Sequence, residues 1–355
     1  MALTYLAAKQ LRIFEQFELT PDPRLNLILG PNAAGKTSIL EAIYILGLGR
    51  SFRTRSIAKL IKNGQTELQV IGKSLKADMP QKIGISRTRQ QFQIRINNES
   101  YHRLSDLAAA VPVQCLTPET HFGFFRSAKH RRAALDWGVF HVEQSFINIW
   151  SDYKQVLRQR NAALKGRVSD KLFEPWEKQL SESALTIHLQ RQKFIARFNP
   201  LVNEFYHQFN EKLSIEIRLA AGWPDERLLF DALVSHRQQD QKRGFTLYGP
   251  HRGDLKIFID KKPADQASSG QQKLAVIAIR MAQIVMMNEY SNVRPILLLD
   301  DLLSELDARH RESVLLLLQD LPAQIFMTAT DLENLGNKKH VFEQTFHVEQ
   351  GEIQQ

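Results

Sequence analysis

The feature that most constrains this chain is a glycine-rich loop between an apolar strand and a helix. The strand pattern covers Leu25–Leu29, and the helical pattern runs from Thr37 to Leu48. Residues 30–38 read Gly-Pro-Asn-Ala-Ala-Gly-Lys-Thr-Ser and match the phosphate-binding P-loop, with both flanking elements that the pattern requires. Backbone N–H groups of such a loop surround a phosphate at the positive end of the helix dipole. The sequence therefore predicts a nucleotide site at Gly30, Pro31, Asn32, Ala33, Ala34, Gly35, Lys36, Thr37 and Ser38.

Two side chains of the loop and two later acids have individual predicted roles. Lys36 is expected to reach the β and γ phosphates of ATP, and the Thr37 hydroxyl to hold Mg²⁺. The apolar segment 295–299 ends in Asp300 and Asp301, which resembles a Walker B strand. Asp300 is expected to orient Mg²⁺, and Asp301 to polarise the attacking water as a general base. A buried strand with acids capping its exposed end is the less favoured alternative, and the P-loop in the same chain weakens it further.

A third segment, Ser-Ser-Gly-Gln-Gln at 268–272, precedes a long apolar helix from Leu274 to Met287. Serine and glycine at a helix start can be an ordinary cap. The position before the acid-tipped strand instead fits an ABC-type signature, which contacts a nucleotide held by another subunit. Asp307, shortly after the paired acids, resembles the D-loop residue of the same interface. This interpretation predicts an ATP-dependent homodimer. The nucleotide site of each protomer would be completed by Ser268, Gly270, Gln271 and Asp307 of the other.

Composition limits the class of protein. The chain has 355 residues, 43% hydrophobic and 24% charged, which is typical of a globular protein. Its net charge of +9 favours a polyanionic partner. Cys115 is the single cysteine, so the chain forms no intramolecular disulfide or thiolate metal cluster, which fits the cytoplasm. No apolar run approaches the roughly 20 residues of a membrane span, and 1–11 does not resemble a secretion signal.

The chain alternates between strand-rich and helical sections. Strands are predicted at Leu25–Leu29, 68–71, 82–86, 92–96, 213–219, 245–247 and 255–259. Amphipathic helices are predicted from 133 to 210 and at 225–239, and an αβα series follows from Ser268. The predicted fold is α/β, a P-loop NTPase of ABC/SMC-head type. The head is expected to comprise residues 1–132 and 241–355. Residues 133–240 are expected to form a mainly helical insertion.

The P-loop, signature, paired acids and D-loop together resemble the head of SMC/Rad50-type ABC ATPases. Three further segments, 49–54, 248–254 and 300–307, resemble the RecF family in particular, and this resemblance covers nearly the whole chain. It implies a slow, DNA-stimulated ATPase that dimerises on ATP at gapped or junction DNA. It also implies a role in replication, repair and the SOS response, helping to load RecA with RecO and RecR.

Several positions depart from the family pattern. The signature usually resembles Ser-Glu-Gly-Gln-Gln-Arg, whereas this chain has Ser269 and Lys273, and Gly253 stands where an acid is usual. No clear Q-loop glutamine follows the predicted strand 111–116: Gln114 lies inside it, and Glu119 beyond it is only a candidate substitute. No switch histidine follows the last core strand. Either Thr328 or Thr330 is a candidate γ-phosphate sensor, and a plain strand-end threonine is the alternative.

Other polar residues remain ambiguous at this stage. His251 and Arg252 are candidates for contacts with nucleotide, DNA or the facing subunit, and a proline-fixed turn with a solvated arginine is the alternative. Basic residues that either follow phosphates or form a solvated face are Arg50, Arg53, Arg55, Arg126, Lys129, His130, Arg131, Arg132, Arg158, Arg160, Lys165 and Arg167. Trp150, Tyr153 and the aromatics of 194–209 recur at helical spacing and are predicted to be core.

Three other functional classes share some of these motifs. A transporter's nucleotide-binding subunit does not usually carry an insertion of roughly 100 residues, and it needs the glutamine and histidine that are missing here. A structural SMC protein needs long heptad coiled coils. An ABC protein with a nuclease domain needs more than the roughly 55 residues that follow the paired acids.

Overall fold

A computed structural model describes residues 2–76, 79–166, 169, 172–224, 228–331 and 341–354. The strands are β1 (Ala2–Leu11), β2 (Phe14–Leu19), β3 (Leu25–Leu29), β4 (Glu67–Lys76), β5 (Met79–Thr88), β6 (Phe92–Ile96), β7 (Glu99–Tyr101), β8 (Val113–Leu116), β9 (Ile215–Ala220), β10 (Asp254–Ile259), β11 (Lys262–Pro263), β12 (Ile296–Leu299), β13 (Gln324–Ala329), β14 (Gln344–Glu349) and β15 (Glu352–Gln354). The helices are α1 (Lys36–Leu48), α2 (Leu104–Ala110), α3 (Pro118–Arg126), α4 (Ala128–Val142), α5 (Phe146–Lys165), α6 (Glu174–Phe209), α7 (Leu229–Ser235), α8 (Arg237–Arg243), α9 (Ser269–Ser291) and α10 (Ala308–Asp320).

The chain packs into two compact units. The first combines Met1–His121 with Ile284–Gln355, and the second is Phe122–Gln283. The insertion predicted at 133–240 lies inside the second unit, whose bounds are wider on both sides. Among the described residues, no helix is both long and apolar enough to cross a membrane.

Two six-stranded sheets form the first unit. One is antiparallel, in the order β2-β1-β4-β5-β6-β7, and the other has the order β15-β14-β3-β13-β12-β8. In the second sheet, β13 is parallel to β3 on one side and to β12 on the other. The carboxyl ends of parallel strands meet at one edge, where α/β proteins commonly bind ligands. The residues that follow β3, β13 and β12 are therefore neighbours at that edge.

Helix α1 packs against both sheets and is apolar around most of its circumference. Ile39, Leu40, Ala42 and Ile43 have no exposed surface, and the same core cluster includes Leu6 of β1 and Phe326 of β13. A helix that is hydrophobic all round is a buried one. This packing fixes the start of α1, and hence the P-loop, against the edge of the second sheet.

The second unit is mainly helical, with the small antiparallel sheet β11-β10-β9. Helix α6 is 36 residues long and buries the apolar face on which Phe194, Phe198 and Tyr206 lie. Tyr153 of α5 is fully buried and Trp150 is partly buried. The predicted core position is confirmed for Tyr153, Phe194, Phe198 and Tyr206, whereas Trp150 is only partly buried.

The observed elements differ from the predicted ones at several positions. Strands β1 and β2 were not predicted, and they alternate buried and exposed side chains less strictly than an ideal half-buried strand. The helix predicted at 225–239 is observed as α7 and α8, and 225–227 lie outside the described residues. The strand predicted at 245–247 is wrong. Side chains take the place of a neighbouring strand there: Asn161 Oδ1 accepts from Thr246 N at 2.8 Å, and Asp240 Oδ1 from Leu247 N at 3.0 Å.

Candidate nucleotide-binding site

The P-loop connects β3 to α1, and its glycines are required for two different reasons. A Cβ atom on Gly30 would lie 2.1 Å from the carbonyl oxygen of Val348 on β14, so only glycine allows this approach. Gly35 has φ +117°, and a Cβ atom there would lie 2.7 Å from the Phe14 ring. Glycine occupies such a backbone conformation without the steric cost that other residues meet. The neighbouring sheets therefore fix the path of the loop.

The ammonium group of Lys36 crosses the loop. Its Nζ donates to the carbonyl oxygens of Gly30 at 2.6 Å and Pro31 at 2.9 Å. Burial lowers the pKa of Lys36, and the nearby Asp301 and Asp300 carboxylates act in the opposite direction. These two bonds use two of the three donors of a lysine ammonium, so one remains for an anion at the mouth of the loop.

Asp300, at the end of β12, is the centre of the hydrogen-bond network. Its Oδ1 accepts from Thr37 Oγ1 at 3.0 Å and from Thr328 Oγ1 at 3.0 Å. Burial raises the pKa of Asp300, and the two hydroxyl bonds lower it. Asp301 is exposed, has φ +50°, and donates its backbone N–H to Thr328 Oγ1 at 2.9 Å. A non-glycine residue in this conformation is strained, and such strain clusters at functional sites.

These side chains line a cavity of about 570 Å³ in the first unit. The P-loop contributes Asn32, Ala33, Gly35, Lys36, Thr37 and Ser38 to its wall. The other described lining residues are Arg12, Ile13, Phe52, Arg53, Pro118, Asp300, Asp301 and Thr328. Gly30 and Pro31 take part through their carbonyl groups, and Ala34 is buried behind the loop. The structure therefore brings both predicted metal ligands and both predicted catalytic residues together.

Sequence reasoning missed the support on one side of this cavity. Glu41 of α1 is fully buried, and its carboxylate accepts two bonds from Arg12, at 2.7 and 2.8 Å, and one from Ser51 Oγ. Ser51 Oγ also accepts from the backbone N–H of Arg53 at 2.9 Å. Glu41 thus ties Arg12 and the segment carrying Arg53 to the helix that follows the P-loop. The available signal was a lone acid within the apolar run 39–46, because buried acids are almost always paired.

The signature segment starts helix α9 in the second unit. Ser268 Oγ accepts from Gln271 N at 3.2 Å, and Gln271 Oε1 accepts from Ser268 N at 3.0 Å. This reciprocal pair is a capping box. Gly270 has open space where a Cβ atom would stand, so packing within the described chain does not require glycine there. The cap interpretation is confirmed, and the contact with a second protomer stays a prediction.

Asp307 of the predicted D-loop caps helix α10. Its carboxylate accepts from His310 N at 2.9 Å and contacts His310 Nδ1 at 2.6 Å. Both bonds lower the pKa of Asp307, the bond from the backbone N–H of His310 more than the bond with its side chain. The side chain is 64% exposed, so it is accessible to a partner. Thr330 bonds Asp331, whereas Thr328 lines the cavity, and the side chain of Glu119 lies outside the described residues.

The loop 248–253 in the second unit is a tight turn. Arg252 N donates to Gly249 O at 2.8 Å, and the Arg252 side chain is exposed. His251 points inward, where its Nδ1 lies 2.7 Å from Tyr153 Oη and its Nε2 lies 3.1 Å from Thr246 O. Because a carbonyl only accepts, Nε2 carries the proton and Nδ1 accepts from the tyrosine. Burial lowers the pKa of His251 to about 4, so the ring is neutral.

Arginine side chains hold this turn from neighbouring helices. Arg132 donates to Gly253 O at 2.7 Å, and Arg191 to Pro250 O at 2.9 Å. A Cβ atom on Gly253 would lie 2.9 Å from Ala220 O. This contact gives a physical reason for glycine where the family usually has an acid.

The ambiguous basic residues separate by burial. Arg160 has no exposed surface, and Arg131 pairs with Asp254 at 2.8 Å, so both are structural in this chain. Arg53 lines the cavity. Arg158 and Lys165 are exposed, and Arg167 lies outside the described residues.

Comparisons with known proteins find relatives over nearly the whole length of the chain. The family model described as the RecF/RecN/SMC N terminal domain matches residues 2–354. A protein of Thioalkalivibrio sulfidiphilus (strain HL-EbGR7) named DNA replication and repair protein RecF is 36% identical over 356 residues, which cover 99% of each chain.

Two solved structures share the fold. One describes the recombination mediator protein RecF with ATP in the RecFOR pathway; its TM-score is 0.87 at 24% identity, covering 99% of this chain and 97% of that one. The other is an Smc head bound to the C-winged helix domain of ScpA, with a TM-score of 0.64 at 14% identity over 100% and 96% of the two chains. The predicted fold class of ABC/SMC-head type is confirmed. With its full-length relatives and matching family model, the chain belongs to the RecF family.

Proposed function

We propose that this protein binds ATP with Mg²⁺ in the P-loop cavity and uses the bound nucleotide to control its assembly on DNA during recombinational repair. The observation that carries the proposal is that the hydroxyl groups of Thr37 and Thr328 both donate to Asp300 Oδ1, beside the Lys36 ammonium. A volume of about 570 Å³ is within the usual range of ligand pockets. The solved RecF structure with ATP supports the choice of nucleotide.

The oxygen ligands at the cavity edge suit magnesium. Mg²⁺ is a hard cation that is usually held by one or two carboxylates together with waters and substrate phosphates. The Thr37 hydroxyl and the Asp300 carboxylate, 3.0 Å apart, would hold it. When bound, the ion neutralises charge on the phosphates during transfer to water. Lys36 would bind the phosphates, and Asp301 would accept a proton from the attacking water.

A second copy of the chain would complete this site through its signature. Glycine in a helix costs about 1 kcal/mol relative to alanine, yet Gly270 stands in the first turn of α9 with open space around it. Such a residue suits close approach by a group from outside the chain. Ser268, Gln271 and Asp307 already use their side chains as helix caps, and all but Gln271 are well exposed. ATP would thus join two protomers.

The biological role and partners follow the family. The named relatives are DNA replication and repair proteins, and the solved RecF is described as a recombination mediator in the RecFOR pathway. We assign this chain to the same task, with RecO and RecR as partners at gapped or junction DNA, where RecA is loaded. Its net charge of +9 suits a polyanionic partner.

Assembly and nucleotide binding are tested together by light scattering with and without ATP. ATP is expected to convert a monomer into a dimer. Lys36→Arg should abolish this shift and normal ATP hydrolysis, because a planar guanidinium does not replace the ammonium in the loop. Ser268→Arg should retain ATP binding and lose the shift. Ser151→Arg, the same change at an exposed helical position of the second unit, is the control. Normal dimerisation of Ser268→Arg would reject the signature assignment.

DNA binding is tested by titrating a gapped duplex at several salt concentrations, with and without ATP. When a protein binds the phosphates of DNA, the logarithm of its binding constant falls linearly with the logarithm of the salt concentration. We expect a steep slope that ATP changes. Negligible affinity in both conditions would reject a direct role on DNA.

A further inference from the structure

In the second unit, helix α8 buries its one acid and exposes the two bases at its end. Asp240 is the single acid of α8 and is only 1% exposed. It pairs with the buried Arg160 of α5 at 2.7 Å, and Arg160 also pairs with Glu177 at 3.0 Å. The charge of Asp240 is therefore balanced inside the protein and does not offset charges at the surface.

The bases left outside lie close together. Lys242 and Arg243 at the end of α8 are exposed, and so is Lys165 at the end of α5. A Cβ atom on Gly244 would lie 3.4 Å from Lys165 Cγ, which places the ends of the two helices in contact. Within the described part of the chain, no carboxylate forms an ion pair with any of these three cations.

An exposed aromatic residue, Phe245, lies two positions after Arg243 in the chain. Phe245 is 37% exposed, and the guanidinium of Arg252 lies over its ring, 4.9 Å from the centroid. Arg132, Arg191 and His251 fix the turn that carries Arg252, as described above. Thr246 is bonded to Asn161 of α5, which fixes the residue next to Phe245. The ring and its guanidinium are thus held on a rigid backbone.

We propose that Lys165, Lys242, Arg243, Phe245 and Arg252, here named the basic tip, form a docking surface for single-stranded DNA. Among the described residues, none of these four cations forms an ion pair with a carboxylate, which suits a phosphate backbone. An exposed ring with a guanidinium on it suits the face of an unpaired base, since base–aromatic stacking and cation–π contacts are how proteins bind single strands without reading sequence. This inference rests on the proposed function, because it locates the DNA contact of the same protein.

The charge contribution is tested with the full-length chain carrying Lys242→Gln and Arg243→Gln. Fluorescence anisotropy with a labelled single-stranded oligonucleotide, repeated from low to high salt, gives affinity and salt slope. Losing two phosphate contacts should reduce the slope by about 1.4 and lower affinity roughly 10-fold or more near 0.1 M salt. The control is Lys261→Gln with Lys262→Gln, which removes two exposed lysines on the β10–β11 turn of the same unit. Circular dichroism verifies that each variant is folded.

The stacking contribution is tested with Phe245→Ala. It should lower affinity for single-stranded DNA by about 5-fold or more and affinity for fully paired duplex by less, because paired bases do not present a free face. Equal losses on both DNAs would contradict the stacking part of the inference.

The outcomes separate this inference from the proposed function. If the unmodified protein binds DNA and the tip variants match the control, the basic tip is not the docking surface. The proposed function then stands, with the DNA contact at another part of the protein. If the unmodified protein fails to bind DNA, both are rejected. If the tip variants bind DNA normally and lose affinity for an acidic partner protein, the surface is a protein-docking site and the inference is wrong.

Discussion

The hydroxyl of Thr328 donates a hydrogen bond to the carboxylate of Asp300 at 3.0 Å. The Thr328 hydroxyl oxygen also accepts a hydrogen bond from the backbone N–H of Asp301 at 2.9 Å. One side chain at the end of β13 therefore orients both acids that follow β12. This arrangement depends on the strand order, which places β13 between β12 and β3.

Thr328→Val tests this positioning role. Valine keeps the shape and removes the hydroxyl, so Asp300 and Asp301 lose their common partner. We expect kcat for ATP hydrolysis to fall about 10- to 100-fold, because small misplacements of catalytic groups have effects of this size. KM for ATP should change by less than about 3-fold, since Lys36 and the loop remain in place. Steady-state ATPase assays separate the two constants.

Thr328→Ser is the matched control, because serine keeps the hydroxyl. It should restore most of the rate lost in the valine variant. If valine and serine variants hydrolyse ATP equally well, Thr328 has no positioning role.

Glu41→Ala tests the buried carboxylate that supports the cavity. The change leaves the Arg12 guanidinium, whose side chain is 18% exposed, without its acid. Removing one partner of a buried ion pair typically costs 3–5 kcal/mol, so we expect the free energy of unfolding to fall by about 3 kcal/mol. Chemical denaturation measures it. Glu15→Ala removes an acid that is 79% exposed and should change stability by less than about 0.5 kcal/mol.

The sequence predicted the parts of the site that are formed by short motifs along the chain better than the parts formed by residues distant in sequence. The P-loop, Asp300 and Asp301 are recognisable because residue type and spacing along the chain determine their function. Glu41, Arg12 and Thr328 become neighbours only through the packing of α1 and the order of strands in the sheet. No periodicity in a single sequence specifies that order.

Burial of charged residues was equally hard to predict. Arg158 and Arg160 are two positions apart and look alike in the sequence, yet the first is exposed and the second is fully buried. The difference is decided by Glu177 and Asp240, which lie 17 and 80 residues from Arg160. The false strand at 245–247 has a related cause, because its hydrogen-bond partners are side chains: Asp240 of the preceding helix and Asn161, 85 residues away from Thr246.

The buried His251 makes stability depend on pH. Its pKa is lowered to about 4 by burial, whereas an exposed imidazole has a pKa near 6.5. Above pH 6.5, neither the folded nor the unfolded chain binds this proton. Between pH 6.5 and 4, the unfolded chain binds it and the folded chain does not, so stability falls as pH decreases. The loss approaches about 1.4 kcal/mol per pH unit and totals about 3 kcal/mol over this range.

His251→Gln should therefore flatten the dependence of unfolding free energy on pH between 6.5 and 4, compared with the unmodified chain. Glutamine can still accept from Tyr153 and donate to Thr246. His102→Gln, at an exposed position, is the control and should leave the pH dependence unchanged. An unchanged slope in His251→Gln would mean that His251 is protonated in the folded protein.

Arg160 should behave as a structural residue although it lies in a basic stretch of α5. Its guanidinium donates to Asp240 at 2.7 Å, to Thr246 Oγ1 at 2.8 Å and to Glu177 at 3.0 Å, all away from water. Arg160→Ala would leave Asp240 and Glu177 buried with less compensating charge. We expect the free energy of unfolding to fall by about 3–5 kcal/mol, the usual cost of breaking a buried pair from one side.

Arg158→Ala, which removes the same charge two residues earlier, should change stability by less than about 0.5 kcal/mol, because Arg158 is exposed. Denaturant titrations of the two variants make the comparison. Under mild conditions where Arg160→Ala remains folded, its salt slope for DNA binding should equal that of the unmodified protein, since a fully buried cation releases no counterion from DNA. A reduced slope with unchanged stability would instead show that Arg160 reaches the phosphates.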